Sequence, residues 1–372
     1  MTIPRIQLDR LSKKVVSGKV TIVYGPRRVG KTTLIKTFLE RESDYLFVTG
    51  EDLFVQQELA TQSIEKLKGF LRGKKLLVID EAQYIPNLGL NLKLIVDQMP
   101  DVRVIATGSS TFDLVKEVGE PLTGRQNVIR LYPIAQAELN LIENRAETKS
   151  RLEQRIIYGS YPEVITHPET AQEYLHELVA SYLLKDILAF EGIRKAKKIV
   201  DLLLLIAFQI GKEVSHQELA THLGITKNTV EKYLDLLEKT FVLVNIRGFS
   251  RNLRKEITKT SRYYFIDNGI RNALLNNFNL QNRRDDTGAL WENYLVSERL
   301  KKQEYDPIFS NNYFWRTYDQ KEVDWVEERE GKLFGYEFKW SGEAKAPKLW
   351  IDTYPEASFE TVHRDHYLPF IS

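Results

Sequence analysis

Gly25-Pro26-Arg27-Arg28-Val29-Gly30-Lys31-Thr32 sets a lysine and a hydroxyl directly behind a glycine-bounded loop. The run fits the pattern G-x-x-x-x-G-K-[ST], whose backbone N–H groups turn inward around phosphate oxygens. In that chemistry Lys31 supplies a point charge to the β- and γ-phosphates, and Thr32 offers its hydroxyl to Mg²⁺. Thr33 closes the candidate nucleotide-binding stretch that begins at Gly25. Two carboxylates follow further on, Asp80 and Glu81. Asp80 suits a magnesium ligand, and Glu81 suits a base that polarises the water attacking the γ-phosphate. An acid used only for binding needs no second acid beside it, so the pair points to hydrolysis. Ser109 and Ser110 could place a hydroxyl near the γ-phosphate, or cap a helix starting near Thr111. Arg125, in Leu122-Thr123-Gly124-Arg125, is either an arginine finger for a neighbouring subunit or an ordinary salt-bridge partner.

A second group of reactive types lies near the C-terminus. Asp324 in Glu322-Val323-Asp324 and the pair in Glu337-Phe338-Lys339 give two carboxylates and a lysine. Such a set can hold Mg²⁺ and activate water for phosphodiester cleavage, and Glu292 could complete the metal site. The alternative is a salt bridge on an exposed sheet face.

These residues need elements to position them. Val20-Thr21-Ile22-Val23-Tyr24 reads as a strand before the glycine loop, and Thr32 to Glu40 as the helix after it. Lys75 to Asp80 is a continuous apolar run, as expected of a parallel strand buried on both faces. Val102 to Thr107 predicts another strand. Helical periodicity dominates from about Thr170 to Gln209. Ser215-His216-Gln217-Glu218 resembles a capping box that opens a short helix through Leu223. Gly224 makes a turn, and Thr226 to Lys239 forms a second helix. Val242 to Ile246 and Arg262 to Ile266 read as a hairpin, so the region has the pattern of a winged helix. Its loop is basic, with Arg247, Arg251, Arg254, Lys255, Lys259 and Arg262 against Glu256 alone. With Lys227, Asn228 and Lys232 on the second helix, that surface suits DNA phosphates. Trp291 to Leu300 predicts the helix that carries Glu292. Tyr313 to Arg316, Glu322 to Val326 and Tyr336 to Trp340 predict strands that bring Asp324 toward Glu337 and Lys339.

Composition sets bounds. Hydrophobic residues are 42% and charged residues 28% of the chain, as in a soluble globular protein, and the net charge is only +2. Any nucleic-acid surface is therefore a local patch. With no cysteine, disulfides, thiolate zinc sites and cysteine nucleophiles are excluded. Met1 to Lys14 lacks the apolar core of a signal peptide, and the apolar run near Ile199 to Ile210 contains Asp201 and Gln209. No membrane association and a cytoplasmic location are expected.

The acid–lysine set resembles the PD-(D/E)xK nuclease superfamily, through Asp324, Glu337-x-Lys339 and the helical Glu292. The whole order resembles a bacterial and archaeal family that joins an AAA+-type ATPase to a C-terminal domain of unknown function with that affinity. Besides the motifs above, Ala82-Gln83, Thr107-Gly108, Tyr161-Pro162-Glu163 and Tyr264-Phe265-Ile266-Asp267-Asn268-Gly269 carry the likeness. It implies ATP and Mg²⁺ as cofactors and a ring-like homo-oligomer. The expected class is α/β: a P-loop AAA+-like parallel-sheet domain over 1–165 with a helical lid to about 190, a winged helix over 191–275, and a PD-(D/E)xK-like domain over 276–372. Three functions compete: an ATP-driven motor on branched or Holliday-junction-like DNA, an ATP-gated endonuclease, and a nucleotide-dependent protein-interaction switch.

Overall fold

The computed structural model describes residues 3–108, 122–183, 196–249, 261–317 and 319–372. It contains two compact units, one of residues 4–133 with 239–241 and one of residues 1–3, 134–238 and 242–372. The expected boundaries at 165, 190 and 275 do not coincide with them. The parallel-sheet unit ends at Pro133, and no break falls at 275, because one sheet runs across that point.

In the first unit, β1 (Val20–Tyr24), β2 (Tyr45–Thr49), β3 (Leu76–Asp80), β4 (Arg103–Gly108) and β5 (Gln126–Arg130) form a parallel sheet in the order β2-β3-β4-β1-β5. Parallel neighbours cannot be joined by a tight turn. The helices Lys31–Leu39, Leu53–Leu59, Ile64–Leu71 and Leu88–Gln98 make the crossovers between β1 and β4. Every residue of β1 and β3 is buried, which accounts for their largely apolar sequences. The register sets Tyr24 beside Gly108 and Arg130, and Thr49 beside Asp80. The strands thus finish level at their carboxyl ends, where open α/β sheets hold ligands.

The second unit contains β6 (Glu213–Val214), β7 (Leu243–Gly248), β8 (Ser261–Phe265), β9 (Asn311–Arg316), β10 (Glu322–Arg329), β11 (Lys332–Phe338) and β12 (Ser358–Val362). They form one mixed sheet in the order β12-β11-β10-β9-β7-β8-β6. The join is a parallel pairing of Arg247 with Tyr313 and Gly248 with Phe314, extended by a bond from the Phe249 N–H to the Phe314 carbonyl at 2.6 Å. A helix pair, His216–Leu223 and Lys227–Lys239, lies in the same unit apart from Lys239. The Ser215 hydroxyl accepts from the Glu218 N–H at 3.3 Å, and Gly224 ends the first helix at φ +61°, a left-handed value that glycine adopts without strain.

The register of β10 on β9 slips between Val323 and Val326. The consequence shows in the packing. Val323 joins Trp315, Val326 and Trp350 in one core, whereas Trp325, two residues on, joins Trp291, Phe314 and Tyr336 in another. Residues two apart in a regular strand share a face, so the bulge turns the chain over at Asp324.

Candidate active site

The glycine loop joins β1 to the helix Lys31–Leu39. Gly30 sits at φ +93°, where a side chain would strain the backbone. Gly25 is required for a different reason, since a Cβ there would stand 1.9 Å from the Leu131 carbonyl oxygen. Lys31 is 5% exposed, and its Nζ donates to the carbonyls of Gly25 at 3.0 Å and Pro26 at 2.8 Å. The ammonium is therefore held over its own loop. The loop is pinned from outside by Arg5, which donates from Nη1 to the Val29 carbonyl and from Nη2 to the Tyr132 carbonyl, each at 2.7 Å.

Asp80, at the end of β3, gathers the neighbouring hydroxyls. Thr32 Oγ1 donates to Asp80 Oδ2 at 2.8 Å, and Thr107 Oγ1 donates to Asp80 Oδ1. The Thr107 hydroxyl also accepts from the Glu81 N–H at 3.2 Å. One threonine on β4 thus ties both acids to the sheet. Glu81 follows in a left-handed conformation at φ +49°, and its carboxylate accepts from the Gln83 side chain. The turn is crowded, because a Cβ on Gly50 would lie 2.4 Å from the Glu81 carbonyl oxygen. Asp80 and Thr32 present oxygen donors side by side, a set that fits a hard cation such as Mg²⁺.

The C-terminal acids lie in the other unit and converge on a residue expected elsewhere. Arg262, assigned from the sequence to a basic wing, is 3% exposed and stacks on the Phe314 ring at 4.4 Å. Its Nη2 donates to Glu322 at 2.7 Å. Its Nη1 lies 3.6 Å from Glu292 and 3.7 Å from Asp324. One oxygen of each of the other three acids is hydrogen-bonded elsewhere. The Tyr264 hydroxyl donates to Glu292 at 2.6 Å, the Phe338 N–H to Asp324 at 2.8 Å, and Lys339 Nζ to Glu337 at 2.7 Å. The second Glu337 oxygen is buried without a partner. Burial pushes Asp324 well above the usual carboxylate range, helped by the charges of Glu292 and Glu337 and opposed by the Phe338 N–H and Arg262. Burial likewise raises Glu292, against the pull of Arg262 and Tyr264. For Lys339 burial acts downward, yet the bond to Glu337 leaves it raised. Among the described residues no three His, Cys, Asp or Glu side chains are grouped to hold a metal ion. The sequence thus brings Glu292, Asp324, Glu337 and Lys339 into one neighbourhood, but the cation at its centre is a guanidinium.

Residues 17–140 match the AAA domain family. Together with the loop and the Asp80 network, that match makes the first unit similar to a P-loop AAA domain. Two families described only as domains of unknown function match residues 149–281 (DUF8612) and 287–354 (DUF4143). The acidic cluster spans both, with Arg262 from one and its carboxylates from the other. An uncharacterized protein of Mycobacterium tuberculosis is 27% identical over 338 residues, covering 89% of this chain and 72% of its own. One from Methanocaldococcus jannaschii is 24% identical over 339 residues, covering 84% and 73%. A solved structure, the Signal Transduction ATPase with Numerous Domains (STAND) protein with a tetratricopeptide repeat sensor from Pyrococcus horikoshii, is 14% identical with a TM-score of 0.25. That alignment takes in 81% of this chain and 46% of the other.

Within the AAA domain, Arg125 pairs with Asp97 of the same chain at 2.7 Å. Arg27 donates to the Tyr84 hydroxyl at 3.3 Å, which links the glycine loop to the turn after β3. Ser109 and Ser110 lie outside the described residues, as do Arg251, Arg254, Lys255 and Lys259. Lys227, Asn228 and Lys232 are exposed on one helix and Arg247 is exposed on β7. Lys227 is engaged by Glu231 at 3.4 Å. Among the described residues no helix is long and apolar enough to cross a membrane. Sequence reasoning gave no role to Arg5 or Thr107 and misplaced Arg262. For Thr107 a signal existed, a hydroxyl at the end of an apolar strand in register with the β3 acids. For Arg5, 24 residues before Val29 in the chain, there was none.

Proposed function

We propose that the AAA domain hydrolyses ATP with Mg²⁺. The observation that carries this reading is the network at the end of β3, where Thr32 and Thr107 bond the two oxygens of Asp80 and Thr107 holds the Glu81 N–H. Lys31 exchanges its own loop carbonyls for phosphate oxygens, and the first N–H groups of Lys31–Leu39 add their positive end. Thr32 and Asp80 would hold Mg²⁺, which neutralises charge on the phosphates. Glu81 accepts a proton from the attacking water, while Thr107 fixes the turn that presents Glu81. Water adds to the γ-phosphorus, the bond to the bridging oxygen breaks, and ADP and phosphate leave. Lys31→Ala is expected to abolish ATP binding. Glu81→Gln is expected to keep binding and lose turnover.

A second proposal concerns what turnover drives. Lys227, Asn228, Lys232 and Arg247 are exposed on the helix pair and the neighbouring hairpin, which suits backbone contacts to duplex or branched DNA. We favour an ATP-driven motor on such DNA over an ATP-gated nuclease, because Arg262 stands among the acids that cleavage would need. ATPase activity with single-stranded, duplex and four-way-junction DNA at matched low salt tests this. Junction-specific stimulation with intact strands supports the motor. A flat response to every DNA replaces it with a protein-interaction switch.

A further inference from the structure

The PD-(D/E)xK likeness calls for a divalent metal at Asp324, Glu337 and Glu292, and the residues around those acids answer that requirement differently. From Arg262, Glu292, Glu322 and Asp324 we infer that this pocket carries its own cation, a buried guanidinium on β8, and excludes the divalent metal that strand cleavage would require.

Three observations support this. The guanidinium is placed for the acids, within 2.7 Å of Glu322, 3.6 Å of Glu292 and 3.7 Å of Asp324. It is also fixed there, since Arg262 is 3% exposed and sits over the Phe314 ring, 4.4 Å from its centroid. Three of the acids each have one oxygen engaged by another donor. One oxygen of Asp324 accepts from the Phe338 N–H, Glu292 accepts from Tyr264, and Glu337 accepts from Lys339. A metal needs carboxylates that converge on one point with lone pairs to give. Here the lone pairs converge on N–H and O–H groups. The second Glu337 oxygen is buried without a partner, and among the described residues no three such acids are grouped to hold a metal ion. The bulge that turns β10 over at Asp324 serves the same arrangement, because it aims that carboxylate at the Phe338 N–H and the guanidinium. Arg262 also joins the β7–β8 hairpin to the β9–β11 strands, so the pocket is an ionic tie across the sheet.

The test is Mn²⁺ binding to the nucleotide-free full chain, read by the free-ion electron paramagnetic resonance signal. Wild type and Asp324→Asn are expected to bind equal amounts of Mn²⁺. Arg262→Gln is expected to gain a site that the double variant Arg262→Gln with Asp324→Asn loses. A wild-type site that vanishes with Asp324→Asn overturns the inference, and so does a folded Arg262→Gln protein that gains none. Should Arg262→Gln fail to fold, the comparison of wild type with Asp324→Asn still decides. Incubation of both with supercoiled DNA and Mg²⁺ gives a second readout. No nicking by either supports a resident guanidinium, and nicking by wild type that Asp324→Asn abolishes contradicts it.

Discussion

Thr107 is the residue on which the two acids of the AAA domain meet. Its hydroxyl serves Asp80 and the Glu81 N–H together, so Thr107→Val leaves a buried acceptor and a backbone donor unpaired, at about 1–3 kcal/mol each. The larger effect falls on chemistry. With the Glu81 turn no longer anchored, kcat is expected to drop about 100-fold, as misplacement of a catalytic group by about 1 Å commonly does. ATP affinity, which rests on the loop and Lys31, should change less than about threefold, under about 0.7 kcal/mol. Steady-state kinetics beside fluorescent-nucleotide titration separates the two; a shift in affinity alone would remove Thr107 from catalysis. Gly25→Ala should behave oppositely. Its new Cβ would stand 1.9 Å from the Leu131 oxygen, so the loop must move and nucleotide binding should be lost.

The element scale shows how the second unit is held together. Asp286 receives Arg284 Nε at 2.7 Å and also accepts from Arg271, tying the helix Asn268–Leu274 to the start of Thr287–Tyr305. Burial acts upward on Asp286, but the bonds from Arg284 and Arg271 outweigh it and hold the carboxyl down at about 2, below its ordinary 3.8. A depressed carboxyl stabilises the fold above its unfolded pKa and loses that contribution as pH falls through the folded one. Stability should therefore decline between about pH 4 and pH 2, and Asp286→Asn should flatten that slope. The same change leaves buried Arg271 without its anion, a loss of about 3 kcal/mol at neutral pH. All five tryptophans lie between Trp291 and Trp350, so urea unfolding followed by their fluorescence reports this unit alone. An unchanged acid slope in the variant would contradict the assignment. Much at this scale was legible beforehand. β1, β3 and β4 announce themselves by largely apolar runs, and the Ser215 cap with Gly224 marks the helix pair. β5, with Gln126, Asn127 and Arg130, carries no such run and was not read. Nor was the pairing of β7 with β9, because partners as far apart in the chain as Arg247 and Tyr313 leave no local trace.

For the molecule as a whole, the loop residues and the β3 acids were readable because each depends on its sequence neighbours. Arg262 was not, because its role depends on acids from Glu292, Glu322 and Asp324 that only the folded sheet assembles. A basic residue beside a basic loop reads as solvent-exposed until burial shows otherwise. Arg125 poses the corresponding question for assembly. Its pair with Asp97 is exposed, 44% and 30%, and such pairs contribute only about 0.2–1 kcal/mol, so Arg125 can leave it for a neighbouring subunit's phosphate. If it does, ATPase activity per subunit should rise with protein concentration, and Arg125→Ala should remove that rise while Asp97→Ala keeps it. A rate per subunit independent of concentration in wild type would end the ring proposal. The most direct measurement for the central claim is Mg²⁺-dependent ATP hydrolysis by the full chain and by Glu81→Gln, with ATP binding followed in parallel. The account predicts that wild type turns over and that Glu81→Gln binds ATP with turnover reduced at least about 100-fold, the lower range for a lost general base. Hydrolysis by Glu81→Gln at the wild-type rate, or ATP binding without hydrolysis in wild type, would contradict it.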